Sequence, residues 1–260
     1  MTILQAIILG IIQGLTEFLP ISSSGHLMLF ENIFGLQRGN MFFNILLHFA
    51  TLMAIVVILW KDIIAILKNP FSPKGLNIII ATIPTVILAL VVEFLFDDFQ
   101  LMAFVGYGFL LSAIIISITS FFQTKKINLN KNINYKNSVL IGVVQGCAVF
   151  PGVSRSGSTI CAGLLCGVER EQSAKFSFLI SLPVILGGMC FELYDGIKFG
   201  FGNVSFACCI IGFIVAFLVA LFTIKLMMNV VKKGSWWGFA IYLFVLSIFV
   251  LLNQYVLLLF

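Results

Sequence analysis

The sequence predicts an all-α polytopic membrane protein: an inverted-topology repeat of six transmembrane helices plus two re-entrant helix–loop–helix hairpins. Three observations predict it. Of the 260 residues, 61% are hydrophobic and 10% charged, with a mean hydropathy of +1.15, which a soluble domain does not reach. Six apolar runs have about the 20 residues that a bilayer crossing needs. A polar motif occurs twice, 132 positions apart.

The six candidate spans are 41–60, 76–96, 101–122, 173–194, 204–225 and 236–259. The pieces 2–17, 22–35, 138–150 and 156–168 are too short to span alone, and each pair is interrupted by one copy of the motif. Irregular backbone at membrane depth is tolerated only inside protein or beside water, so each pair is read as a re-entrant hairpin. Residues 1–260 then form one membrane domain, with a first repeat 1–123 and a second repeat 137–260 joined by a cytoplasmic loop 124–136. Three spans per half is an odd number, so the halves must enter the membrane in opposite directions.

Charge supports this topology. With the N-terminus outside, the inside connections are 61–75, 123–137, 169–175 and 225–235, and they hold twelve of the 15 Lys and Arg residues, as the positive-inside rule requires. Asp97-Asp98 lies in an outside turn. Trp60 and Trp236-Trp237 fall at expected inner boundaries, where aromatic residues anchor. The net charge of +5 forms no patch in sequence, so no nucleic-acid partner is expected. The six cysteines lie in apolar runs without metal-ligand spacing and read as small core residues. The first 35 residues lack a basic lead and contain the first motif, which argues against a cleaved signal peptide.

The second motif, Pro151-Gly-Val-Ser-Arg-Ser-Gly-Ser-Thr159, lies between apolar runs, and Arg155 is the only charge between Lys136 and Glu169. A Gly/Ser turn at a helix N-terminus, with an arginine, is a phosphate-binding composition. The structural alternative is an arginine that snorkels, with small residues that only permit tight packing. In the 132-residue alignment Gln13-Gly14 lies on Gln145-Gly146, Ser22 on Ser154, Ser24 on Ser156 and Gly25 on Gly157. Glu17, Ser23 and His26 face Val149, Arg155 and Ser158. One loop therefore carries an acid and a histidine, and the other an arginine.

Inverted hairpins can meet in mid-bundle, bringing Glu17, Ser22, Ser23 and His26 to Ser154, Arg155, Ser156 and Thr159. Glu17 and Gln13 share a helix face. A carboxylate at this depth needs a cation, either Arg155 or a metal. A hard divalent ion held by one or two protein oxygens plus substrate phosphate follows the Mg2+ pattern. An Arg155–Glu17 pair that merely ties the loops together is the structural alternative. His26 can take a proton from a serine or water, or attack phosphorus itself. Arg155 would stabilise charge developing on phosphoryl oxygens. His48, Glu93 and Glu192 are left outside the site.

Gln13-x-x-x-Glu17, Pro20-Ile-Ser22-Ser23-Ser24-Gly25-His26 and the second motif together resemble the paired signatures of the bacterial undecaprenyl-diphosphate phosphatases of the bacitracin-resistance type. The resemblance covers essentially the whole chain. It implies removal of the terminal phosphate of undecaprenyl diphosphate at the outer face of the bacterial cytoplasmic membrane, recycling the lipid carrier for cell-wall synthesis. It implies Glu17, Ser23 and His26 as catalytic residues and Ser154, Arg155 and Thr159 as phosphate-binding ones, with Arg155 also read as catalytic for the charge it would stabilise. Ser22, Ser24, Gly25, Ser154, Ser156, Gly157 and Thr159 would bind substrate. Glu17 and Gln13 would hold a divalent cation, Mg2+ or Ca2+. Many members carry a second Glu where Gln13 stands, so altered metal dependence is expected. A homodimer is compatible with this reading. The other function class that fits inverted repeats with broken helices is a secondary transporter or lipid flippase; release of inorganic phosphate separates the two.

Overall fold

A computed structural model describes residues 1–36, 41–95, 101–124, 129, 131–200 and 204–257. Arg38, Lys125, Lys126 and the Asp97-Asp98 turn lie outside them. Among the described residues the chain is helical: α1 Ile3–Thr16, α2 Ser23–Ile33, α3 Met41–Ile58, α4 Trp60–Lys68, α5 Pro73–Leu95, α6 Leu101–Thr124, α7 Tyr135–Cys147, α8 Arg155–Leu165, α9 Arg170–Phe199, α10 Phe206–Lys233 and α11 Trp237–Leu252, followed by a π-helical turn Asn253–Leu257. Six of them, α3, α5, α6, α9, α10 and α11, are long and apolar enough to cross a membrane. Large apolar side chains such as Phe222 (63% exposed) and Ile241 (61%) cover their outer faces, a pattern that needs lipid rather than water around it.

The helices start and stop where local chemistry dictates. Thr2 and Gln5 form a capping box on α1. Ser22, Asn134, Ser154 and Ser205 cap the helices that follow them. Gly234, at φ 77°, closes α10 in the left-handed conformation that glycine adopts most easily. The 61–75 connection contains the helix α4, which sequence reading did not foresee. None of its side chains is buried, and Asp62 pairs with Lys74 at 2.5 Å. Trp60 and Trp237 are exposed as anchors would be, but Trp236 is only 1% exposed and packs into the central core. Cys161, Cys208 and Cys209 are buried, whereas Cys147 and Cys190 are exposed.

The ends of the two short-helix pairs lie at opposite ends of α10, which at 28 residues is about 42 Å long. Both ends of the α1–α2 pair gather where α10 begins: Met1, Phe34, Leu36 and Val204 share an apolar cluster. Both ends of the α7–α8 pair meet where α10 finishes. There Lys131 exchanges backbone hydrogen bonds with Gly167 and Glu169, each at 3.1 Å, and Arg170 donates to the Lys232 carbonyl at 3.1 Å.

Repeated glycines seat each pair against a long helix. A Cβ at Gly10 would lie 2.8 Å from the Gly212 carbonyl oxygen of α10, and one at Gly14 would lie 2.7 Å from that of Ala216. On α7, a Cβ at Gly142 would lie 2.2 Å from the Ala81 carbonyl oxygen of α5, and one at Gly146 2.7 Å from Leu88 Cβ. Small residues four apart allow backbones to approach this closely. The loops that end α1 and α7 are thereby carried into the middle of the bundle.

Candidate functional site

Glu17 is the C-cap of α1, and its amide donates to the Gln13 carbonyl at 3.1 Å. The carboxylate is buried, and both oxygens are engaged. Oε2 accepts from Ser23 Oγ at 2.6 Å and from Gln13 Nε2 at 3.0 Å. Oε1 is paired with the Arg155 guanidinium from the other loop. The pairing of Glu17 with an arginine, expected from the cost of burying a lone charge, thus joins the two hairpins across 138 residues of sequence. Arg155 starts α8, where Ser154 caps the helix by accepting from the Gly157 amide at 3.1 Å.

The backbone of both loops is held firmly. Ser22 has φ 69°, an uncommon conformation for a residue with a side chain. It directs the Ser22 carbonyl at His26 Nδ1, 2.7 Å away, while the hydroxyl accepts from the Gly25 amide at 3.3 Å. In the second loop the Ser154 amide donates to Ser112 Oγ on α6 at 2.8 Å, and that hydroxyl donates to the Gly152 carbonyl at 3.3 Å. Gly152 has φ 84°, and a Cβ there would lie 2.2 Å from the Val105 carbonyl oxygen, so glycine is required twice over.

The structure brings Glu17, Ser23 and Arg155 into one bonded set and places the other candidates around it. Ser156 Oγ donates to the Leu19 carbonyl at 3.0 Å, a second tie between the loops. Gly157 lies where a Cβ would come within 2.9 Å of Pro20 Cβ, and Gly25 where one would come within 2.6 Å of the Phe109 ring. Among the described residues the Ser24 hydroxyl has a 3.5 Å contact with Ser22 Oγ. Thr159 is turned into its own hairpin, donating to the Arg155 carbonyl at 2.8 Å and bonding Ser177 Oγ at 2.6 Å. His26 is bonded elsewhere: its Nε2 is 2.7 Å from the hydroxyl of Tyr242 on α11.

Sequence reasoning missed three neighbours. His48 Nδ1 lies 3.0 Å from Gln13 Nε2 and 3.8 Å from Glu17 Oε2. The sequence alone leaves it outside the site, and only its place in mid-span marks it. Tyr242 and Ser112 are single hydroxyls on long apolar helices, and nothing in their sequence surroundings marks them. Glu192, expected at a span end to be solvated or interfacial, is partly exposed, and its Oε2 has no partner. The side chain of Glu93 lies outside what is described.

Among the described residues no group of three His, Cys, Asp or Glu side chains could hold a metal ion. A site built from fewer protein ligands does fit Gln13. This side chain is fully buried, its Nε2 is fixed by the carboxylate it donates to, and its Oε1 has no hydrogen-bond partner. An orphaned amide oxygen beside a carboxylate is the donor set a hard cation takes, with phosphate and water oxygens completing the shell.

Fold and site together define a polytopic helical membrane protein with a buried acid–hydroxyl–guanidinium centre between two broken helices. The bacitracin resistance protein BacA family matches residues 6–249, and the chain belongs to that family. It is 37% identical over 257 residues to the undecaprenyl-diphosphatase of Carboxydothermus hydrogenoformans, covering 96% of this chain and 97% of the relative. It is 38% identical over 258 residues to that of Halothermothrix orenii, covering 97% and 98%. It is 39% identical over 271 residues to that of Bacteroides thetaiotaomicron, covering 98% and 100%.

Proposed function

We propose that this chain is an undecaprenyl-diphosphatase, hydrolysing undecaprenyl diphosphate to undecaprenyl phosphate and inorganic phosphate. The observation that carries the chemistry is the Ser23 hydroxyl, 2.6 Å from a buried carboxylate whose other oxygen is held by Arg155. A nucleophile bonded to a base that is itself oriented by a third group is the arrangement of covalent catalysis. Ser23 Oγ attacks the terminal phosphorus, and Glu17 takes its proton. The bridging P–O bond breaks, and undecaprenyl phosphate leaves. Water then attacks the phosphoserine and the Oγ–P bond breaks; the departing Ser23 Oγ regains its proton from Glu17, and the water's proton passes to His26 Nε2, where Tyr242 is bonded. Incoming phosphate competes with Glu17 for Arg155. Losing that partner makes the buried carboxylate a stronger base at the moment it is needed, while the guanidinium fork grips the phosphoryl oxygens. Ser22, Ser24, Gly25, Ser154, Ser156 and Gly157 would form the cradle around the diphosphate, with Thr159 bracing Arg155 from behind through the Arg155 carbonyl.

Gln13 and Glu17 would hold a divalent cation, Mg2+ or Ca2+. When bound it would neutralise phosphate charge. The hairpins are re-entrant halves of an inverted repeat in the bacterial cytoplasmic membrane. Lys131, Arg170, Lys175 and Lys232 gather at the end where α10 finishes, so that end faces the cytoplasm. The termini lie outside, and the site serves lipid arriving at the extracytoplasmic face. A homodimer is compatible with this arrangement.

Purified protein in detergent, given undecaprenyl diphosphate or a shorter prenyl diphosphate, should release one equivalent of inorganic phosphate. Binding without release would favour a transporter or flippase and end the enzymatic reading. A reporter fused after Phe260 should be active only in its extracytoplasmic form; a cytoplasmic signal would remove the inverted repeat.

A further inference from the structure

His26 is held from both ends of its ring. Nδ1 lies 2.7 Å from the Ser22 carbonyl oxygen, which can only accept, so Nδ1 carries a proton. In the neutral imidazole Nε2 is then an acceptor, and the Tyr242 hydroxyl, 2.7 Å away, donates to it. The two ring planes are 12° apart with centroids 5.8 Å from each other, and Phe109 closes the other side edge-on at 5.2 Å. Along α11, Tyr242 and Ser247 carry the side-chain hydroxyls. Ser247 is satisfied by the Gly106 carbonyl at 2.9 Å, a packing role. The Tyr242 hydroxyl instead reaches a candidate catalytic base 216 residues away in sequence.

We propose that Tyr242 is the positioning residue of His26: with the Ser22 carbonyl holding the proton on Nδ1, its hydroxyl orients the ring through Nε2 and stays bonded there in both protonation states. The inference rests on the reading of His26 as the base for the hydrolytic water. A hydroxyl accepts as well as donates. When Nε2 takes a proton, the Tyr242–His26 bond therefore survives with its direction reversed, and the imidazolium keeps two partners. Tyr242 is 45% exposed, so the residue connects the outer surface with the buried imidazole.

The test is Tyr242→Phe, which keeps the ring and removes one oxygen. The chain has only two histidines, so 15N-histidine labelling, with His48→Gln for assignment, resolves the Nε2 resonance of His26 in detergent. In the parent that resonance should report a hydrogen-bonded acceptor, and in Tyr242→Phe it should move to the free-acceptor position. Phosphate release should fall on the order of tenfold in kcat, the factor one hydrogen bond is worth, with KM and melting temperature unchanged. An unmoved resonance overturns the proposal whatever happens to the rate. A moved resonance with parental kcat overturns the positioning role. If the parent itself releases no phosphate, the phosphatase reading fails, and the resonance still decides whether the hydroxyl holds His26.

Discussion

In the first loop Ser22 caps α2 through the Gly25 amide at 3.3 Å; in the second Ser154 caps α8 through the Gly157 amide at 3.1 Å. Ser22 and Ser24 hydroxyls lie 3.5 Å apart, those of Ser154 and Ser156 3.4 Å. Each loop follows a helix that docks through two glycines, α1 on α10 and α7 on α5. The difference lies in what surrounds this shared frame. Gln13 donates to Glu17, His48 and Thr51, whereas its counterpart Gln145 donates to Thr85 and the Ile180 carbonyl. Glu17 is buried and charge-paired, whereas Val149 in the equivalent place is exposed. His26 is bonded at both ring nitrogens, whereas the Ser158 hydroxyl is buried without a partner. One frame can thus serve as a reactive centre or as a rigid mount. What divides them is three side chains and the helices that happen to face them. From the second loop only the Arg155 guanidinium pairs with Glu17 of the first, and in the function proposed above it is the reagent that the mount lends.

The largest effect that can break this division is expected at Arg155. Lysine keeps the charge but loses the planar fork, so Arg155→Lys should reduce phosphate release on the order of 10³-fold at unchanged melting temperature. Arg155→Ala should cost at least as much rate, and should lower the melting temperature because it leaves Glu17 buried and unpaired. Near-parental turnover by the lysine variant would reduce the second loop to a mount with no chemical part.

Next comes Glu17. Glu17→Gln removes the proposed base, and a loss of roughly 10² to 10⁴ is expected from general-base contributions; chelator should abolish the activity of the parent. If chelator leaves the rate intact, the cation assignment to Gln13 and Glu17 falls while the serine–carboxylate pair stands.

A smaller effect should separate mount from centre. Gly142→Ala puts a Cβ 2.2 Å from a backbone oxygen of α5 and should destabilise by about 1–3 kcal/mol, as overpacking does. It should lower the melting temperature, with kcat per folded molecule retained. A specific loss of kcat would place chemistry on the second hairpin beyond Arg155.

The smallest expected difference is between the paired serines. Ser156→Ala loses the bond to the Leu19 carbonyl and should cost about 1 kcal/mol of stability. Ser24→Ala, with only its 3.5 Å neighbour to lose, should fall within about 0.5 kcal/mol of the parent. Equal melting temperatures for the two variants would remove Ser156 as a tie between the loops.

Much was legible in the chain itself. The six long apolar helices, the four short ones and the two loops between them follow from hydropathy and from Ser, Gly and Pro punctuation. These act locally: a run of about 20 apolar residues is a span wherever it sits, and a Ser three residues before a free amide is a cap in either loop. The helix α4 escaped because an amphipathic turn of nine residues resembles a charged connection. Residues with a rare chemical type in a rare place, Glu17, His26 and Arg155, declared themselves because a bilayer makes every such residue costly.

Tertiary structure alone decided how those residues are used. Whether Glu17 faces Ser23 or His26 depends on how α1 is seated on α10, through glycines whose partners lie some 200 residues away. His48, Ser112 and Tyr242 acquire meaning only from what lies opposite them, since a hydroxyl or imidazole on a long helix has the same sequence signature whether it meets lipid, a carbonyl or a base. Hydrogen bonds act over about 3 Å, and the sequence carries no information at that range about contacts between helices. Hence the elements could be read from the chain, while the bonded set of Glu17, Ser23 and Arg155, and the Tyr242–His26 pair beside it, required the fold.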